Sequence, residues 1–197
     1  MKTGKTVKVL LTAATAAGML AGCGSKTDTD TFRFASELDI QGMDSTVVDD
    51  GMSFNAIHAI TDGLTAVNNK GKTAPALAKN WDVSEDGKTY TFHLRDAKWS
   101  NGDKVTANDF VYSWRKIIKD AGNYAYMLGS GGASVKNADT LIDLGTNATD
   151  EQMATLGVTA KDDKTLVVEL DNKVPYFTDL MAFPCYFPQN EKFVEKC

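Results

Sequence analysis

Apolar and polar positions alternate most regularly between Lys88 and Leu94. Tyr90, Phe92 and Leu94 fall on one face, and Thr89, Thr91 and His93 on the other. A period of two in a stretch rich in aromatic and β-branched side chains predicts a half-buried strand. Ser84-Glu85-Asp86-Gly87 before it predicts a hairpin turn, with Gly87 free to take positive φ. A second alternation sets Leu166, Val168 and Leu170 against Val167 and Glu169. It follows the turn Asp162-Asp163-Lys164, so another hairpin is predicted over 158–170. Asn101-Gly102, after Trp99, marks a tight turn. The period then lengthens: Phe110, Trp114, Ile117 and Ile118 recur at helical spacing. Thr106-Ala107-Asn108-Asp109 supplies a capping box at the start of that helix, which closes near Lys119. A helix is also predicted from Phe54 to Leu64, ending near Gly63. Pro175 opens a short one through Tyr176, Phe177, Leu180 and Met181. Thr31 to Phe34 reads as a strand. Strands mixed with helices, without regular βαβ alternation, indicate an α/β class of mixed α+β character.

The N-terminus follows a different logic. Lys2, Lys5 and Lys8 make a basic start, and Val9 to Ala21 is small and apolar, broken only by Thr12, Thr15 and Gly18. That run is short of the roughly 20 apolar residues a permanent membrane helix needs, and it matches the h-region of a secretory signal peptide. It ends in Leu20-Ala21-Gly22-Cys23, which resembles the lipobox of bacterial lipoproteins. The resemblance implies that residues 1–22 are removed and that the Cys23 thiol carries a diacylglyceryl group. Residues 23–30 offer nothing apolar to bury after Cys23, so a flexible tether is expected.

The chain of 197 residues carries a net charge of −5. Loss of residues 1–22 takes away three lysines and leaves −8. An acidic protein beside an anionic leaflet is held by its lipid rather than by charge, and it is a poor partner for nucleic acid. Of the three cysteines, Cys185 lies in an apolar stretch and Cys197 is the last residue. A 185–197 bridge is open to an oxidising compartment, but the surroundings of Cys185 favour a small buried hydrophobe. No CxxC spacing suggests zinc, and His58 and His93 form neither HxxxH nor HExxH, so no metal or other cofactor is implied. Glu191 to Cys197 begins an amphipathic turn and stops without a cap or polar tail, which reads as a truncated chain.

The middle of the chain carries a specific resemblance. Pro75-Ala76-Leu77-Ala78, Trp81-Asp82-Val83, Asp86 to Arg95, Lys98 to Asp103 and Val105 to Trp114 are similar to the family-5 extracellular solute-binding proteins of ABC importers. Leu156-Gly157-Val158, Leu166 to Leu170 and Val174-Pro175-Tyr176-Phe177 continue the similarity, which is nearest to the oligopeptide-binding lipoproteins. It implies a type II periplasmic-binding-protein-like fold. Residues 31–60 and 184–197 would be parts of a first lobe, 61–183 an extra α/β domain, and the second lobe would be missing. It further implies a lipid-anchored extracytoplasmic receptor that captures oligopeptides and hands them to ABC permease subunits.

The residues most open to a binding role each carry a plainer reading as well. Trp81, Trp99 and Trp114 are readable as stacking platforms, but their hairpin and helix positions favour the core. His93 is expected to be solvent-facing or locally bonded, and Arg95 to pair with Asp96. Asp49-Asp50 offers carboxylates for a peptide amine, although loop carboxylates are more often solvated. In relatives a first-lobe loop carboxylate can help hold that amine; Ser53 stands near its position here, so that carboxylate is not matched. Asn123-Tyr124-Ala125-Tyr126 resembles a stretch lying near bound peptide in relatives, which makes Tyr124 the candidate ligand contact. No Gly-x-Ser-x-Gly elbow, HExxH or Ser/His/Asp arrangement supports the alternative of a secreted hydrolase. Gly129-Ser130-Gly131-Gly132 lacks a Gly-Lys-Ser/Thr ending and reads as a flexible loop rather than a phosphate loop. A pheromone receptor or surface adhesin on the same scaffold stays open beside nutrient uptake.

Overall fold

The computed structural model of the chain describes residues 35–196. The chain divides into two units, Met1–Glu37 and Leu38–Cys197. Of the first only residues 35–37 are described, all exposed, and every element below belongs to the second. The segment 1–22, Cys23, the linker through residue 30, the strand expected over 31–34 and Cys197 lie outside the described residues.

Helix α1 (Gly51–Ile60) is followed by a small antiparallel pair, β1 (Thr65–Val67) and β2 (Thr73–Pro75). Then come β3 (Ala78–Val83), β4 (Thr89–Leu94), α2 (Ala107–Lys119), α3 (Ala138–Leu144) and α4 (Asp150–Met153). Strands β5 (Val158–Asp162) and β6 (Thr165–Glu169) precede two short helices, α5 (Phe177–Leu180) and α6 (Glu191–Val194). Both predicted hairpins form. Gly87 takes φ +69° in the first turn, and Asp162 pairs with Thr165 across the second. They join into one antiparallel sheet of order β3-β4-β6-β5. Phe92 lies opposite Trp81 on one side and Leu166 on the other. Tyr90, Phe92 and Leu94 are buried, as are Leu166, Val168 and Val158, so one face of the sheet is apolar. Helix α2 packs across β5 and β6, and its Phe110, Trp114, Ile117 and Ile118 are almost wholly shielded from solvent. Each aromatic buried in that layer contributes roughly 1.5–3 kcal/mol.

The cap of α2 rests on Asp109. Its carboxylate accepts from the Thr106 backbone amide at 2.7 Å and from the Trp99 indole at 3.2 Å. Trp99 and Trp81 are half-buried against the core, and Trp114 donates to the Tyr186 carbonyl at 3.0 Å. All three tryptophans are therefore structural.

Several local expectations are corrected. Helix α1 starts at Gly51 and stops at Ile60, earlier than predicted at both ends, because Asp50 caps it and Thr61 turns extended. Gly63 is not its stop signal. A Cβ there would lie 2.4 Å from the Met181 carbonyl and 2.6 Å from the Phe187 ring, so this glycine permits close packing. Arg95 pairs with Asp62 at 2.8 Å rather than with Asp96, whose carboxylate faces Lys164 at 3.2 Å. Residues 129–132 form a closed turn, not an open loop: the Ser130 amide donates to Asp139 and the Ala133 amide to the Met127 carbonyl. His93 bonds locally to Asp82 at 2.8 Å, and Cys185 is a buried free thiol whose burial pushes its pKa up.

Candidate functional site

Tyr124 stands where three stretches of chain meet. Its ring lies edge-on to Phe54 of α1 at 5.3 Å, tilted against Phe183 at 5.3 Å, and stacked on Tyr126 at 6.0 Å. Phe54 and Phe183 also touch, at 5.1 Å, and one helical turn along α1 His58 sits edge-on to Phe187. Edge and offset contacts of this kind are the favoured aromatic geometries. Tyr124 remains half-buried and Tyr126 is half exposed, so the group presents an aromatic surface to solvent. Burial holds His58 below its usual pKa, which favours the neutral ring.

The backbone entering this surface is tightly constrained. Ala121 takes φ +50°, a region L-residues seldom adopt. Gly122 follows in a space where a Cβ would come within 2.0 Å of the Thr46 carbonyl. The Gly122 amide donates to Ile117 at the end of α2, so Tyr124 is aimed by the helix and by the segment around Thr46 together.

That segment is locked by Asp44. Its carboxylate accepts from the Thr46 amide and hydroxyl, the Gln189 side chain and Lys116 Nζ at 2.6–2.9 Å. Burial raises its pKa, but the hydrogen bonds from Lys116, Thr46 and Gln189 outweigh that and leave it at about 2. Burial likewise opposes the Lys116 charge, and bonds to Asp120 and Asp44 carry its pKa above the usual value.

The other candidate residues separate by role. Asp50 caps α1 by accepting from the Ser53 amide at 2.8 Å, which occupies one of its oxygens within the fold. Asp49 is exposed and accepts from the Asn123 side chain at 2.8 Å, beside Tyr124. Ser53 is buried and its Oγ accepts from the Gln41 and Gly42 amides, so it braces the 41–42 backbone. Sequence reasoning missed Asp44, Gly122 and the Phe54 and Phe183 partners of Tyr124. Asp44-Ser45-Thr46 carries the local signature of an Asx turn. Nothing local announces Lys116, which lies 72 positions away. Among the described residues, no group of three His, Cys, Asp or Glu side chains is placed to hold a metal ion. No helix there is long and apolar enough to cross a membrane.

The chain is similar to known proteins in sequence and fold. The profile for bacterial extracellular solute-binding proteins, family 5 Middle, matches residues 72–196. The dipeptide-binding protein of Lactococcus lactis subsp. cremoris (strain MG1363) is 40% identical over 200 residues, covering 100% of this chain and 35% of its own length. The substrate-binding domain of an oligopeptide ABC transporter from Bacillus anthracis str. Ames superposes with a TM-score of 0.76 at 40% identity. The match covers 83% of this chain and 30% of that one. The pheromone receptor PrgZ matches with a TM-score of 0.72 at 32% identity, over 80% of this chain and 30% of its own. The chain thus spans about a third of the length of these relatives.

Proposed function

The chain belongs to the bacterial extracellular solute-binding proteins of family 5, and on that premise we propose that it captures oligopeptides outside the cytoplasm and delivers them to the permease subunits of an ABC importer. Relatives named for dipeptide and oligopeptide binding support the ligand class. The observation that carries the reading is the aromatic surface at Tyr124. It gathers Phe54, Phe183 and Tyr126 into one partly exposed wall, with the Asp49–Asn123 pair at its edge. A peptide backbone offers a donor and an acceptor at every residue. A cleft that pairs those groups gains affinity without reading side chains, and hydrated pockets then tolerate many sequences. Closure of two lobes on the ligand selects a minor closed state that the permease can recognise.

In this reading residues 31–60 and 184–197 contribute to the first lobe and 61–183 form the extra domain. In support, Phe54, Ile57 and Phe187 form a small apolar cluster apart from the main core. Cys23 carries the lipid that keeps the receptor at the membrane, and the protein binds and releases peptide without cleaving it. Calorimetric titration of the full-length protein with a mixed oligopeptide library, followed by mass analysis of the recovered peptides, is the test. Saturable binding with intact peptides is the expected result; absence of binding, or turnover, overturns the proposal. A second reading, a receptor for a peptide signal, is favoured by the match to PrgZ. It would show as tight binding of one peptide sequence with little response to the library.

A further inference from the structure

Behind the Tyr124 wall lies a charged network with Lys116 at its centre. An ammonium has three donors, and here three acceptors meet it. Lys116 Nζ donates to Asp44 Oδ2 at 2.7 Å and to Thr46 Oγ1 at 2.8 Å, and it lies 2.7 Å from Asp120 Oδ2. Its side chain is mostly enclosed. From the other side Gln189 donates to Asp44 at 2.6 Å and to Ser45 Oγ at 3.2 Å. Ser45 and Thr46 are themselves buried, so the segment 44–46 is held on every side. That segment meets the approach to Tyr124 directly. The Thr46 carbonyl is so near Gly122 that a Cβ there would come within 2.0 Å of it, and Asn123 donates to Asp49 at 2.8 Å. The Gly122 amide donates to the Ile117 carbonyl, and the Gly122 carbonyl accepts from the Ala125 amide, both at 2.9 Å. Tyr124 is thus bracketed by bonds that begin at Gly122.

We propose that Lys116 is a positioning residue for peptide capture: through Asp44, Thr46 and Gly122 it sets the place of the Tyr124 ring, and hence the affinity of that wall for its ligand. The inference rests on the peptide reading of the wall and adds to it a residue that touches no ligand. A binding side chain works only when its support holds it within about 0.5 Å of the productive geometry. Close-packed contacts such as Thr46 against Gly122 transmit small shifts rather than absorbing them. An enclosed ion pair often adds no net stability over a well-packed apolar replacement, so position is what this one contributes. Only a side chain with several donors can tie the last turn of α2, its Asp120 cap and the 44–46 segment to one point.

The test uses the full-length protein labelled with 3-fluorotyrosine, and a mixed oligopeptide library as probe. Lys116→Met alone would strand the Asp44 charge, so it is combined with Asp44→Asn, which removes both charges together. A cooperative melt establishes that this double variant folds. Where it does not fold, Thr46→Val supplies the same comparison with a smaller loss, since it removes only the hydroxyl between Asp44 and Lys116. Without ligand, the double variant should move the Tyr124 fluorine signal and leave that of Tyr90 in place. Its apparent affinity for the library should fall by about fivefold or more. In a Tyr124→Ala background the same two changes should cost less than about twofold, because the ring through which they act is gone. An unchanged affinity overturns the proposal, and so does an equal loss with and without the Tyr124 ring, which would mark a merely structural role. A parent that binds no peptide overturns the peptide reading and this proposal with it. A Tyr124 signal that still responds then traces the failure to the ligand and not to the network.

Discussion

Lys116 Nζ donates to Asp44 Oδ2 at 2.7 Å, joining the last turn of α2 to a loop 72 positions earlier in the chain. The ammonium is mostly enclosed, its side chain 13% exposed, while the carboxylate is 40% exposed. The pair holds the segment whose Thr46 carbonyl confines Gly122, and through Gly122 it bears on where Tyr124 sits.

Acid should loosen this lock. The Asp44 carboxyl titrates near 3.8 when unconstrained and at about 2 in the fold. A depressed pKa means its stabilisation is fully present above the unfolded value and is lost as pH falls through the folded one. Stability is therefore expected to drop between about pH 4 and pH 2, and Asp44→Asn should flatten that part of the curve. Denaturant melts of both proteins across the range check it; parallel curves would rule Asp44 out as the source.

The buried indole of Trp114 bonds to the Tyr186 carbonyl, and the neighbouring Ser113 hydroxyl donates to Phe187 at 2.7 Å. Trp114→Phe keeps an aromatic ring but leaves that carbonyl without its donor, and it should cost about 2 kcal/mol of stability. Equilibrium unfolding measures the loss. A change below a few tenths would mean that the carbonyl finds another donor.

At the approach to Tyr124, two small substitutions should act in opposite directions. Ala121→Gly relieves a left-handed alanine and should be neutral or stabilising by up to about 1 kcal/mol. Gly122→Ala forces a methyl against the Thr46 carbonyl and should destabilise by about 2 kcal/mol. Thermal melts of the pair are sufficient, and equal shifts of the same sign would contradict the packing account.

Removal of the Tyr124 ring should weaken oligopeptide binding by about tenfold, the loss of a single aromatic contact worth about 1.4 kcal/mol. Tyr124→Phe, which keeps the ring contacts to Phe54 and Phe183, should lose much less. Titration calorimetry on the two variants separates them. Equal affinities for Tyr124→Ala and the parent would move the ligand surface elsewhere.

Cys23→Ser should free the protein from the membrane or leave its leader uncleaved, since the thiol is the atom that would carry lipid. Fractionation of cells expressing each form shows the outcome, and undiminished membrane retention of the serine form would refute the anchor.

Sequence by itself determined the parts of this protein that depend on neighbours a few positions away. Alternation at Tyr90, Phe92 and Leu94, the Gly87 turn, the Asp109 cap and the helical spacing from Phe110 to Ile118 each express a local preference of backbone and solvent. All are recovered in β4, its hairpin and α2. The family was legible for a related reason, because these local motifs occur in an unbroken and specific order. Strands β1 and β2 escaped notice because three residues are too few to show a period. Only the tertiary structure decided that β4 pairs with β6, that Arg95 reaches Asp62, and that Asp44 meets Lys116. It likewise decided that Tyr124 leans on Phe54 and Phe183. Such relationships join residues tens of positions apart, and burial and close packing select them only once the whole chain has folded around them.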